Sequence, residues 1–379
     1  MTAQSAKLAK RTKKKTKKQK DAKVKNKSKV KKNKEIGAGR EKKTNPEVVT
    51  SQEKELIPIE ELERKVRQYI VGQDAQVKQI ISAIYRAKIF SSIKANVLII
   101  GNSGTGKTAT IKKVAELLGI PYTIEDATKY TQEGYYGADV EEMIYNLIQN
   151  ADGDFIEAST GMIIIDEIDK KALNGEEHNP AGTEVLNSLL KIIEGTTMMI
   201  CPSPFMDEPI PFSTEGLTII FMGAFPGLDK IRDARLNRNA FGFSRNEVKS
   251  SGECRYIKQD LVRYGLPEEF AGRVDTIIEM NQLSVPELTK ILTDSKLSIF
   301  RRYEKEFRRF GIRLKYDNEI FEKIANKALE VKTGARELST VVNWMFEDVV
   351  FEVFAKPGKY KECLLLPGIV EDNTEYLLS

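Results

Sequence analysis

Histidine is almost missing from this chain: there is one in 379 residues, His178, and it sits in the polar stretch GEEHNPAG, where it reads as a loop residue. Cysteine is nearly as scarce. Cys201, Cys254 and Cys363 lie far apart with no C-x-x-C pair, which excludes a zinc finger and a disulfide framework. Long apolar runs are missing as well. None approaches the ~18 residues of a membrane-spanning helix, and no hydrophobic signal core follows the basic start. Repeats of solenoid period are also absent. A soluble, cytoplasmic protein is the expectation, and the length allows two or three domains.

Aromatics are missing and acids scarce in one place above all, the amino-terminal tail. Residues 1–46 hold 19 Lys and Arg against Asp21, Glu35 and Glu41, a charge of +16. The remainder keeps 41 basic and 52 acidic residues, or −11, so the overall +5 conceals two opposite parts. A lysine run without aromatics cannot offset its ordering entropy, and disorder is expected there. Two roles stay open for the tail: a solubilising extension, or an arm for nucleic acid, ribosomes or anionic lipid.

Beyond the tail the chain has the composition of an ordinary globular protein, 41% hydrophobic when counted over its whole length. Residues 47–57 read as linker. Apolar residues at helical spacing (Ile59, Leu62, Val66, Ile70) lead to a break at Val71-Gly72-Gln73 and a second helix from Asp74. The run Val97–Ile100 is a short strand, apolar throughout, of the kind buried on both faces of a parallel sheet. Strands are also expected in PYTIEDA, GMIIIDE and LTIIFMGAF, with helices in TATIKKVAELLG, DVEEMIYNLIQNA and EVLNSLLKIIEG. This alternation predicts an α/β doubly wound parallel sheet over 58–282, after the tail and linker of 1–57. From 283 to 379 a smaller, mostly helical domain is expected, with helices over 284–310, 317–330 and 335–355 and a strand in YKECLLLPG.

The stretch GNSGTGKT (Gly101, Asn102, Ser103, Gly104, Thr105, Gly106, Lys107, Thr108) fits G-x-x-x-x-G-K-[ST], with a buried strand before it and a helix after it. Glycines let backbone N–H groups converge on phosphate oxygens, and the helix amino terminus adds its positive end. Lys107 is placed for the β- and γ-phosphates of ATP, and the Thr108 hydroxyl for Mg²⁺. The acidic half of such a site stands in GMIIIDEIDK, where Asp166 follows Lys107 by 59 positions. Asp166 is the candidate for the Mg²⁺ shell and Glu167 for the base that activates water. An acid pair after an apolar strand is also an ordinary strand-end turn, but here it falls behind four apolar residues.

With YIVGQDAQVK, EDATKYTQEGYYGADVEEMI, LNSLLKIIEGT, GAFPGLDKI, DLVRYGLPEEFAGRVD and TGARELSTVV in the same order, residues 58–358 resemble the Clp unfoldase group of AAA+ ATPases, and most of all the ClpX family. The resemblance implies a ring, a hexamer, that hydrolyses ATP and threads polypeptide through its centre. It makes Val71, Gly72 and Gln73 the wall of the adenine pocket. Arg273 becomes a finger reaching the neighbouring subunit's nucleotide, and Arg336 a sensor of the nucleotide in its own subunit. Gly134, Tyr135, Tyr136 and Gly137 become the loop that grips substrate, although two tyrosines packed at a core edge would look alike. Phe241-Gly242-Phe243 stands where the family docks a ClpP-type protease, or forms an ordinary turn.

Departures from the family are specific. Its four-cysteine amino-terminal zinc domain is missing, and the lysine-rich tail takes that place. Tyr136 replaces the usual aliphatic residue. MMICPSPFMDEPIPF lacks the basic signature of a second channel loop, and MGAF offers no polar sensor side chain. A remodelling ATPase acting on nucleoprotein through the tail, without a protease, is the competing class.

Overall fold

The structure is a computed structural model that describes residues 56–90, 94–130, 140–172, 180–201, 208–240, 255–331 and 334–379. The Gly134–Gly137 and Phe241–Phe243 motifs, Cys254, His178 and the basic tail lie outside the described residues. In chain order the strands are β1 (Asn96–Ile100), β2 (Tyr122–Asp126), β3 (Met162–Asp166), β4 (Thr197–Ile200), β5 (Ile210–Ser213), β6 (Thr218–Gly223), β7 (Thr276–Glu279), β8 (Arg313–Tyr316), β9 (Glu362–Leu365) and β10 (Tyr376–Leu378).

Five of them form one sheet in the order β2-β3-β6-β1-β7, with every pairing parallel. Strand alternation divides the core in two. Leu98, Ile100, Ile163, Ile165, Ile219 and Phe221 point to one face, and Val97, Ile99, Met162, Ile164, Ile220 and Met222 to the other. Helices Ile59–Val66, Asp74–Ile89 and Lys107–Leu118 cover the second face through Leu62, Val77, Ile111 and Val114. Helices Val140–Asn150, Pro180–Glu194 and Glu268–Arg273 cover the first through Leu147, Leu189 and Phe270. At about 1.5–3 kcal/mol for each fully buried aliphatic side chain, this two-sided burial explains why the inner strands β1, β3 and β6 are mostly apolar, while the edge strands β2 and β7 are less so. The fold is the doubly wound α/β arrangement. Its fifth strand, β7, lies in DTIIEM, a stretch that periodicity does not mark as a strand.

Residues beyond β7 pack around a separate core of Leu288, Phe300, Phe307, Ile320, Ile324 and Phe346. Its helices are Val285–Thr293, Ile299–Arg309, Glu319–Glu330, Ala335–Met345 and Glu347–Ala355, beside a small sheet of order β10-β9-β8. The continuous helix expected over 284–310 is therefore corrected. The chain leaves it at Asp294 because tertiary partners compete for its backbone and side chains. The Ser295 hydroxyl donates to the Tyr69 carbonyl at 2.5 Å and the Lys296 N–H to that of Gln68 at 2.9 Å. Ser298 then restarts the helix by accepting the Arg301 N–H at 3.2 Å. The helix expected over 335–355 also breaks, at Phe346, which is buried among Phe300, Tyr303 and Phe307. Strands β8 and β10 add to the one expected there, because each is too short to announce itself by periodicity. Within MMICPSPFMDEPIPF, β4 and β5 form an antiparallel hairpin.

Candidate nucleotide site

β1 ends at Ile100 and the chain turns at once into the glycine-rich loop. The Gly101 N–H donates to the Gly223 carbonyl at 3.1 Å, tying the loop to the carboxyl end of β6. Thr105 folds back on Asn102, whose carbonyl accepts its hydroxyl at 2.9 Å. Gly104 and Gly106 take φ of 77° and 91°, a region that favours glycine. Asn102 and Ser103 are exposed, and Thr108 is half-buried in the first turn of helix Lys107–Leu118. Lys107 bends over its own loop: Nζ donates to the carbonyls of Gly101 and Asn102, the latter at 3.0 Å. Burial pushes its pKa below the ordinary lysine value. The carboxylates of Asp166 and Asp169 oppose that, and the like charge of Arg336 adds to it. Acids, lysine and arginine thus share one electrostatic neighbourhood.

Ile165 and Leu98 both pair with Phe221, so Asp166 stands level with Ile99, two strands and about 10 Å away. Asp166 accepts the N–H of Glu167 at 2.9 Å. Glu167 is exposed and has φ 57°, opening the tight turn Ile168–Lys171. A non-glycine residue held there costs on the order of 1–3 kcal/mol, and such strain gathers at functional sites. Among the described residues no three His, Cys, Asp or Glu gather to hold a metal by themselves. One carboxylate, Asp166, and one hydroxyl, Thr108, suit a hard ion bound largely through phosphate oxygens and water, as Mg²⁺ is.

Beside the loop, Gln73 is 1% exposed and bridges two distant stretches of chain. Its amide donates to the carbonyls of Asn281 at 2.7 Å and Thr105 at 3.3 Å, and accepts the Asn281 N–H at 3.0 Å. Gly72 lies against Glu287. Val71 lines a mostly apolar cavity of about 180 Å³ with Thr105, Ala109, Leu283, Leu292 and Leu338. That is smaller than the ~300–1,000 Å³ of pockets for drug-sized ligands, and fits a base more than a whole nucleotide. A larger cavity of about 460 Å³, beside Arg301 and Tyr316, has no P-loop residue in its lining.

The smaller cavity, which Ala335 also lines, brings in the second part of the chain. The Ala335 N–H donates to the Gly104 carbonyl at 3.1 Å. Gly334 has φ 61°, and a Cβ there would come within 3.2 Å of that carbonyl oxygen. Arg336 follows, exposed, at the start of helix Ala335–Met345.

Arg273 is placed elsewhere. Its guanidinium pairs with Glu194, and its carbonyl accepts from Asn96 at 3.1 Å. Asn96 begins β1, at the end of the sheet opposite the P-loop, about 13 Å along the strand. Arg273 is therefore not brought to the nucleotide loop of its own chain. Sequence reasoning missed Asp169, Asn281 and the cavity lining from Leu283, Leu292 and Leu338. Only Asp169 carried a signal, as the second aspartate of DEID; the others depend on tertiary packing.

Family models match an AAA domain (Cdc48 subfamily) over residues 92–277 and the C-terminal, D2-small domain of ClpB protein over 283–361. Several curated relatives carry the name ATP-dependent Clp protease ATP-binding subunit ClpX. The one from Borrelia duttonii is 34% identical over 342 residues, 84% of this chain and 80% of the relative. That from Treponema denticola is 35% identical over 341 residues, covering 83% and 81%. That from Bacteroides thetaiotaomicron is 34% identical over 335 residues, covering 82% and 81%.

Proposed function

Because the chain belongs to the ClpX family of AAA+ ATPases, and is itself an ATPase, we propose that it spends ATP hydrolysis on unfolding and threading polypeptide within a hexameric ring. Lys107 and the loop Gly101–Gly106 hold the phosphates, and the cavity beside Val71 holds the base. Thr108 and Asp166 hold Mg²⁺, which when bound neutralises phosphate charge. Glu167 takes the proton of the attacking water. Arg273, remote from its own loop, serves the neighbouring subunit's nucleotide, where a guanidinium stabilises charge developing on the γ-phosphate. Tyr135 and Tyr136 grip the moving chain, and Phe241-Gly242-Phe243 docks a ClpP-type protease.

One observation carries this reading: the seam where Ala335 donates to Gly104 beside the shared cavity. A nucleotide there contacts both parts of the chain, so a change at the phosphates bears on their contact. That is what converting turnover into movement requires. The tail charge of +16 favours a second reading, a remodelling ATPase recruited to nucleoprotein.

The test is Glu167→Gln, used both in turnover assays and as a trap. General bases contribute roughly 10²–10⁴-fold. The variant is expected to bind ATP normally, lose turnover by at least about 10²-fold and retain polypeptides in a pull-down, while Lys107→Ala loses ATP binding. Near-normal hydrolysis by Glu167→Gln would overturn the assignment.

A further inference from the structure

Behind the acid turn lies a buried lysine that hydrolysis does not use. Lys171 closes the turn that Glu167 opens, is 9% exposed, and donates from Nζ to the Tyr130 carbonyl at 2.8 Å. Burying an ammonium is unfavourable unless it is bonded, and an apolar residue such as Ile168, fully buried in the same turn, would fill space without that penalty. The lysine therefore acts as a tie.

What it ties is a polar knot. Tyr130 is itself buried, and its hydroxyl donates to Glu125 Oε2 at 2.5 Å. Glu125 is 6% exposed; its other oxygen accepts from the Thr123 hydroxyl at 2.6 Å and the Asn146 amide at 3.1 Å. Asn146 belongs to helix Val140–Asn150. Tyr130 and that helix bracket in sequence the segment carrying Tyr135 and Tyr136, and both meet on the Glu125 carboxylate. Lys171 joins this knot to the turn headed by Glu167.

We propose that Lys171 is a positioning residue that couples the hydrolytic turn to polypeptide engagement through Tyr130 and Glu125, a role that rests on the gripping function of Tyr135 and Tyr136. Displacement of the Glu167 turn is carried to the Tyr130 carbonyl by this hydrogen bond, beside the packing of Ile168 in the core that holds Tyr130, and from the Tyr130 hydroxyl to helix Val140–Asn150 through one carboxylate. Every polar group named in the chain has a partner, so the contacts form one continuous network.

The experiment compares full-length wild type, Lys171→Met, Lys171→Arg and the double variant Tyr135→Ala/Tyr136→Ala. Each is assayed for basal ATPase, for stimulation of ATPase by reduced, carboxymethylated α-lactalbumin as an unfolded probe, and for melting temperature. Lys171→Met is expected to keep basal turnover and the KM for ATP while losing about 3- to 30-fold of its response to the polypeptide. Lys171→Arg restores that response, because it can still donate to the carbonyl. Loss of basal and stimulated turnover by the same factor, together with a lowered melting temperature, would mark a purely structural lysine and overturn the proposal. So would an unchanged response in Lys171→Met when the tyrosine variant has lost its own. A tyrosine variant that responds like wild type defeats the gripping role first, and the coupling role with it.

Discussion

Substituting Gly334 by alanine probes the seam at a single backbone position. Gly334 has φ 61° and ψ −139°, a region open almost only to glycine. An alanine there costs on the order of 1–3 kcal/mol in strain. Its Cβ also lies 3.2 Å from the Gly104 oxygen, 3.3 Å from the Gly104 carbon and 3.3 Å from the Ser103 oxygen. These are backbone atoms of the P-loop, so relief requires the loop or the helix start to retreat, stretching the 3.1 Å bond from Ala335 to Gly104. Losing that bond adds about 1 kcal/mol. If about 2 kcal/mol of this total falls on the nucleotide-bound arrangement, affinity drops about 30-fold. Gly358→Ala is the control: its φ is 78°, but nothing lies within 4 Å of an added Cβ. Titration with a fluorescent ATP analogue, beside melting curves, separates the two effects. Both variants are expected to lose some thermal stability, and Gly334→Ala alone to lose affinity. Wild-type affinity in Gly334→Ala, or an equal loss in Gly358→Ala, would refute the seam as part of the site.

Three further outcomes are expected. Mixing Arg273→Ala with Lys107→Ala subunits should restore hydrolysis absent from either alone, measured by turnover against mixing ratio; no recovery at any ratio counts against action across an interface. Burial pushes the Cys363 thiol up to about 12 from an ordinary 9.0. The folded state thus holds that proton more tightly, and the associated stability is complete below pH 9 and lost as pH rises towards 12; denaturant midpoints should fall over that window, less so in Cys363→Ala. Deleting residues 1–46 should leave ATPase unchanged and abolish salt-sensitive binding to RNA or anionic vesicles, and equal binding by the truncated chain excludes the tail as the arm.

The sequence made some of this legible and hid the rest for physical reasons. The runs Val97–Ile100, MIII and IIFM read plainly as strands because both faces of the sheet are covered, so every position in them is apolar. The P-loop and the DE pair were legible because phosphate chemistry fixes residue types at fixed spacing. β7 escaped notice because TIIE is short and only its Ile278 is fully buried. The helix break at Asp294–Ser298 was hidden because its cause lies in Gln68 and Tyr69, more than 200 positions earlier. The cavity was hidden likewise: Val71, Thr105, Leu292 and Leu338 come from four separate segments, and only folding gathers them.

Asp169 shows how a residue with no direct part in phosphate chemistry organises the site. It is 3% exposed, and Oδ2 accepts the Phe225 N–H at 3.1 Å. A Cβ at Gly223 would fall 2.5 Å from its other oxygen, so the end of β6 lacks a side chain because the carboxylate occupies that space. Two residues with positive φ flank it, Glu167 at 57° and Phe225 at 50°. The Gly223 carbonyl in turn accepts the first N–H of the P-loop. One buried carboxylate thus connects the turn that opens at Glu167, the end of the central strand and the start of the glycine-rich loop. A buried charge without compensation is strongly unfavourable; here the Lys107 ammonium supplies part of the compensation, since the Asp169 charge raises the lysine's pKa against its burial. At Gly223 the backbone itself does the bracing, because Asp169 fills the space a side chain would need.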